Sequence, residues 1–179
     1  MIKEFVFGAL AISALAFPGI NSGLNIGESV TPFHPTHVTG PDKGTDTCPP
    51  CKYGARPAVQ VWVNGDSTEN VAKLASVLNQ TAGKNENFKG FVIWVSDNKD
   101  QAASTLKTIA GKHQFDAIGM AVLDPKNEAV NNYKMNLEKD VKNTVIVYKN
   151  KKVVAKFVNL EANEKGLTQL NGAIAGVTK

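Results

Sequence analysis

Cysteine is scarce in this chain of 179 residues: Cys48 and Cys51 are the only two. A web of structural disulfides is thereby excluded, and a chain of this length buries a core without one. Arginine is scarcer still, since Arg56 is the sole one among 20 basic residues. Specific recognition of nucleic acid or phosphate leans on arginine forks and clustered basic faces. The net charge of +4, carried by lysines interleaved with acids, therefore reads as a solvated surface, and nucleic acid is not expected as a partner. Long apolar runs are missing beyond the N-terminus, and the run from Phe5 to Phe17 is too short to span a bilayer as a mature helix. Following Met1-Ile2-Lys3-Glu4 and ending on Ala14-Leu15-Ala16 and Pro18-Gly19, it reads as a secretory signal peptide covering residues 1–16. Cleavage is placed after Ala16, with a site near Ser22 as the other candidate, and no cysteine stands there to carry a lipid anchor. The expectation is an exported protein, periplasmic or extracellular, with no membrane attachment after cleavage. In such a compartment disulfides persist.

Residues 17–57 form a loop region rich in Pro, Gly and Thr, in which only Val30 to Phe33 and Thr36 to Thr39 have strand content. Gly40-Pro41-Asp42-Lys43-Gly44 is dense in turn formers and should bend the chain ahead of the cysteines. From Pro57 onward strand and helix signals alternate. Ala58 to Val63 is a buried strand, and Val71, Leu74, Ala75, Leu78 and Ala82 recur at helical spacing after an N-cap at Asp66 or Ser67, up to Gly83. Phe91 to Val95 is the next strand, followed by a helix ending near Gly111, and Ile118 to Leu123 is a third strand. A short helix follows near Glu128 to Lys134. Thr144 to Tyr148 and Lys152 to Val158 make a hairpin around a charged tip, and Leu167, Leu170 and Ile174 mark a closing helix. The βαβα order favours parallel strands with right-handed crossovers. One domain, residues 58–179, is expected behind the loop region.

This order of elements resembles the thioredoxin fold. Thr144-Val145-Ile146-Val147-Tyr148-Lys149-Asn150 with Val153-Val154 is similar to that family's last two strands, and Asp124-Pro125 with Tyr133-Lys134-Met135 resembles the segment before them in its secreted reductases. Cys48-Pro49-Pro50-Cys51 matches the active-site tetrapeptide of that branch. The resemblance implies an α/β, thioredoxin-like fold: a central mixed β-sheet flanked by helices, here with an N-terminal loop or hairpin extension. It also implies thiol-disulfide exchange, with Cys48 as the more exposed, attacking thiol and Cys51 as the resolving one. Two departures stand out. The family's dithiol follows the first core strand, where this chain has Asn64-Gly65-Asp66-Ser67, and Asn143 stands where the family has a cis-proline. With Pro49, Pro50, Gly54 and Pro57 around the dithiol, no helix is expected there, so His37, Lys52 and Arg56 are the candidate thiolate stabilisers.

Three readings of the pair stay open. As a redox centre it would act on protein thiols or disulfides, or on a redox partner protein, with no cofactor. As a metal site, His34-Pro35-Thr36-His37 and Cys48-Pro49-Pro50-Cys51 supply two imidazoles and two thiolates, a donor set suited to zinc or copper. As a fixed disulfide it would tie the loop of a scaffold protein shut. Pro41, Thr45 and Cys48 also fit the Pro-x3-Thr-x2-Cys string of peroxiredoxins, in which the string follows an apolar strand, opens a helix and depends on a distant arginine; it is discounted because the residues before it here are polar and proline-rich, no helix is expected and the sole arginine, Arg56, is close by. Lys52 stands where a c-type haem site needs histidine.

Overall fold

The computed structural model describes residues 20–179, so the leader assigned to residues 1–16 and its cleavage point lie outside the described residues. Eleven elements follow in order: β1 (Thr36–Thr39), α1 (Pro49–Tyr53), β2 (Ala58–Val63), α2 (Thr68–Lys84), β3 (Lys89–Val95), α3 (Lys99–His113), β4 (Gly119–Leu123), α4 (Glu128–Asn132), β5 (Asn143–Lys149), β6 (Lys152–Val158) and α5 (Glu164–Thr178). The strands form one six-stranded sheet in the order β1-β4-β3-β2-β5-β6. β2, β3 and β4 pair in parallel, while β1, β5 and β6 join antiparallel, which makes the sheet mixed. The fold class and the alternation read from the sequence are both present.

β2 lies at the centre of the sheet and is buried at every position, as a strand covered on both faces requires. On one face α2, α3 and α5 present Leu74, Leu78, Leu106, Leu170 and Ile174 to Val59, Val61, Val92 and Val145. Each of these helices opens on a side-chain cap: Ser67 Oγ accepts from Asn70 N–H, Asn98 from Gln101 N–H and Asn163 from Gly166 N–H. α2 runs through Gly83 to Lys84, and α3 continues past Gly111 to His113, each slightly beyond its expected end. The opposite face is covered without long helices. There Phe33, Trp62 and Tyr133 form an aromatic group with ring centroids 4.9–5.3 Å apart, beside Phe91, Ile93, Ile146 and Tyr148. The loop region thus contributes Leu24, Val30 and Phe33 to the core on this face.

Val30 to Phe33 forms no strand; Val30 and Phe33 are buried, and the nearest pairing is a single bridge between Ser29 and Lys152. Ser22 is also buried and bonds Thr144 Oγ1 at 2.6 Å, which ties the start of the described chain to β5. The tip of the β5–β6 hairpin has Asn150 and Lys151 at positive φ (52° and 62°), the two-residue turn whose twist suits antiparallel strands. Among the described residues no helix is long and apolar enough to cross a membrane.

Candidate functional site

The dithiol segment precedes the central strand, as its sequence position requires, but it is helical. α1 starts at Pro49 and ends at Tyr53, with Cys48 as its N-cap and Gly54 closing it. The expectation that the prolines forbid a helix is therefore corrected. Pro49 and Pro50 occupy the first two helical positions, where the N–H that proline lacks has no helical acceptor in any case. The discounting of the peroxiredoxin string on that ground falls with it. A different observation still separates the two: Thr45 Oγ1 donates to the Asp42 carbonyl at 2.8 Å and pairs with Thr47 Oγ1, so it serves its own loop.

Cys48 and Cys51 are joined as a disulfide. Their exposure is the reverse of the order the resemblance implied. Cys48 is 5% exposed and Cys51 lies open to solvent. Cys48 Sγ accepts a hydrogen bond from the Cys51 amide at 3.2 Å, the cap contact of α1. The inversion follows from the direction of the chain. Cys48 arrives from a loop pinned over the sheet, whereas Cys51 sits one turn later on the outer side of a helix that buries Pro49 and Pro50.

Three groups hold the segment, and the key one was not singled out in the sequence. Asp42, in the turn after β1, is buried and accepts from Lys52 Nζ on one carboxylate oxygen and from the Tyr53 hydroxyl, at 2.7 Å, on the other. Burial pushes this carboxyl up, but the hydrogen bonds from Lys52 and Tyr53 outweigh it and hold the group below the usual carboxylate range. In turn, the bond to Asp42 raises Lys52. The Tyr53 ring lies 5.6 Å from the Phe91 ring, so the end of α1 is anchored on β3. Asp42 reads in the sequence as an ordinary turn former; a carboxylate ten residues before a Lys-Tyr pair was the only hint.

His37 is buried beside this anchor, and its Nε2 lies 2.9 Å from the Thr47 carbonyl. A carbonyl only accepts, so Nε2 carries the proton and donates. The ring thus positions the residue just ahead of Cys48. His34 Nδ1 lies 2.9 Å from the Asp46 carbonyl, on the exposed side of the same loop. Arg56 is exposed, beyond α1. Of the three candidate thiolate stabilisers, Lys52 is engaged by Asp42 and His37 by Thr47, and the polar contact that reaches Cys48 Sγ is the Cys51 amide instead. The four donors of the metal reading fall on the loop before β1 (His34), on β1 (His37), at the N-cap of α1 (Cys48) and within α1 (Cys51). With the sulfurs bonded to each other they offer no thiolate, and no group of three or more His, Cys, Asp or Glu side chains is placed to hold a metal among the described residues.

The position where the thioredoxin family carries its dithiol is filled by amides. Asp66 Oδ2 accepts from Asn70 and from Asn143, both at 2.7 Å, and both amides also donate to the Leu160 carbonyl. Asn143 is 2% exposed and its carbonyl oxygen accepts from Leu160 N–H at 2.9 Å, so this polar knot is internally satisfied. It lies at the C-terminal end of β2, beyond Val63, whereas the anchor of α1 reaches Phe91, which pairs with Gly119 near the N-terminal ends of β3 and β4.

No protein-family model matches the chain, and no curated protein matches it in sequence. Solved structures do. One from Chlorobium tepidum, described as a thiol:disulfide interchange protein DsbE, is 14% identical with a TM-score of 0.65, over 87% of this chain and 99% of that one. An uncharacterized conserved protein of Geobacillus kaustophilus is also 14% identical, with a TM-score of 0.63 over 92% and 90%. A secreted disulfide oxidoreductase of Mycobacterium tuberculosis is 13% identical, with a TM-score of 0.53 over 82% and 96%. Likeness at these identities concerns architecture, and with the sheet order above it establishes that this chain has the thioredoxin-like fold, its cysteine pair standing ahead of the central strand.

Proposed function

We propose that the protein is an exported thiol-disulfide exchange protein working through Cys48 and Cys51, with Cys51 as the sulfur that links to substrate. The observation that carries this reading is the asymmetry of the pair: one sulfur is open to solvent, and the other is buried and already accepts an amide hydrogen bond. Exchange needs both properties, an accessible sulfur to be attacked and a leaving sulfur whose negative charge is received. A substrate thiolate attacks Cys51 Sγ, the Cys48–Cys51 bond breaks, and its electron pair leaves on Cys48 as thiolate facing the Cys51 N–H. A second substrate thiolate then attacks the substrate sulfur of the mixed disulfide. The substrate dithiol is oxidised by two electrons, and the protein is left as the Cys48/Cys51 dithiol; reduction of a substrate disulfide runs the same steps backwards. Exchange in a compartment where disulfides persist fits the leader read at residues 1–16 and the description of one similar structure as secreted.

A trapping experiment tests the assignment. Cys48→Ser leaves Cys51 without its internal partner and should accumulate mixed disulfides with thiol-bearing polypeptides, while Cys51→Ser should accumulate about tenfold less, since its remaining thiol is buried. Equal trapping by both variants, or trapping only by Cys51→Ser, overturns the assignment. A pair that exchanges with no dithiol substrate, and that dithiothreitol does not reduce in the folded protein, is a fixed staple.

A further inference from the structure

Beside α1 the surface opens into a groove of about 570 Å³, bordered by Tyr53, Arg56, Pro57, Asn85, Asn87 and Lys149. Its size is that of a site for a few side chains. It begins two residues beyond Cys51, because Tyr53 is both the last residue of α1 and one of its walls. Lys89 does not line the groove, but its Nζ lies 5.5 Å from the ring centroid of Tyr53, which does.

The groove is basic: Arg56, Lys89 and Lys149 are absent from the ion pairs of the described residues, and Lys149 Nζ donates to the oxygen of Lys179, another wall of the groove, at 3.3 Å. Asp42, the buried acid nearby, is paired with Lys52 and accepts from Tyr53, and Glu86 and Asp42 are the carboxylates within electrostatic reach of Lys89. Burial first, and then the charge of Arg56, push Lys89 below the ordinary lysine range, against the opposing pull of Glu86 and Asp42. Elsewhere the lysines alternate with acids, so this imbalance is local.

We propose that this groove docks an acidic polypeptide segment and delivers a cysteine within it, or next to it, to Cys51. The proposal rests on the exchange reading and adds to it a class of substrate: a protein thiol or disulfide flanked by Asp or Glu. A carboxylate would pair with Arg56 in a forked geometry and with Lys149 as a point charge, while Asn85 and Asn87 offer amides to the peptide backbone. Nucleic acid fits less well, since a single groove with one arginine is not the extended basic face that a phosphate backbone follows, and it brings no sulfur to Cys51.

The test uses the oxidised wild-type protein and short monothiol peptides whose cysteine is flanked by Asp and Glu, by Ser, or by Lys. The rate of opening of the Cys48–Cys51 bond is measured for each and divided by the same peptide's rate with a small disulfide, which removes differences in intrinsic thiol reactivity. The acidic peptide should react about tenfold faster than the lysine peptide at low salt, and the ratio should collapse near ~1 M salt, where the screening length is ~3 Å. The double variant Arg56→Glu/Lys149→Glu should invert the preference, and Lys142→Glu, beyond the other end of the strands, should leave it unchanged. A wild-type ratio near one, or a ratio that survives the double charge reversal in a variant with wild-type circular dichroism, overturns the proposal. An acidic peptide without cysteine should compete, and equal competition by an oligonucleotide of the same charge would instead assign the groove to polyanions in general. Reduction by dithiothreitol separates the two layers: if it proceeds without any charge preference among the peptides, the docking site fails while exchange stands. If the cysteine-free acidic peptide binds but no mixed disulfide forms at Cys51, docking stands and exchange fails.

Discussion

Asp42 carries the highest electrostatic stakes of any residue around the dithiol. A buried carboxylate with two charge-assisted or phenolic donors stabilises its surroundings only while it is ionised. Its folded-state value lies below its ordinary one, so its contribution is fully present above the unfolded value of ~3.9 and is lost as pH falls through the folded value. Asp42→Asn should therefore lower stability by about 1–3 kcal/mol near neutral pH. The gap to wild type should close in strong acid, because the other acids titrate alike in both proteins. Urea unfolding of the two proteins across the acid range checks this, and a gap independent of pH would show that Asp42 acts through packing alone. The cysteines show how far single residues were readable. Their identity and spacing gave the redox reading, but which sulfur is exposed depends on how α1 rolls over Phe91, a tertiary fact absent from the tetrapeptide.

The element that the sequence hid is α1 itself. Proline is read as a breaker, yet at the first two helical positions it is compatible with a helix, and here two prolines and a capping cysteine start one. The longer elements were legible because each has a repeated apolar pattern and a cap; a five-residue helix offers too few repeats for any periodicity to register. Its placement depends on the turn before it. Gly40 has φ +80°, and a Cβ there would come within 1.9 Å of the Ile118 carbonyl oxygen, so the chain can leave β1 only through glycine. Gly40→Ala should cost about 2–4 kcal/mol, measured by denaturant unfolding, and should loosen the loop that carries Asp42. Loss of the disulfide should cost less. Closing a loop this short restricts the unfolded chain by about 2 kcal/mol in the chain-entropy model, roughly 4–8 °C in Tm for a chain of this size. A much larger drop in the double serine variant would favour the staple reading over exchange.

At the scale of the whole molecule, the thioredoxin-like sheet has two ends, and the cysteine pair stands toward the one opposite to where the fold family keeps its dithiol. β2 spans about 17 Å from Ala58 to Val63 at ~3.3 Å per residue. The end beyond Val63, where the fold family keeps its dithiol, holds the closed knot of Asp66, Asn70 and Asn143, whose amides and carboxylate bond one another, Leu160 and the backbone N–H groups of Ser67 and Ala162. The dithiol segment instead leans on Phe91 and Asp42 toward the other end. The sequence showed the first half of this, through the missing sulfur at Asn64 to Ser67 and the asparagine at position 143, because those are local substitutions. It did not show that the vacated position had become a structural joint between β2, α2, β5 and the loop before α5, since the joint is made by residues up to 92 positions apart. Stability and redox chemistry should therefore separate. Asn143→Ala leaves Asp66 and the Leu160 N–H short of partners in a buried setting and should cost about 1–3 kcal/mol. In the same variant, the rate at which a peptide thiol opens the Cys48–Cys51 bond should stay within about twofold of wild type, because sites this far apart with no shared partners act additively. Stopped-flow exchange kinetics alongside denaturant unfolding measure both quantities on one sample. A tenfold fall in exchange rate under conditions where the variant is fully folded would mean that substrate also engages the family's usual end of the sheet, and the dithiol would then be an accessory to that end rather than its replacement.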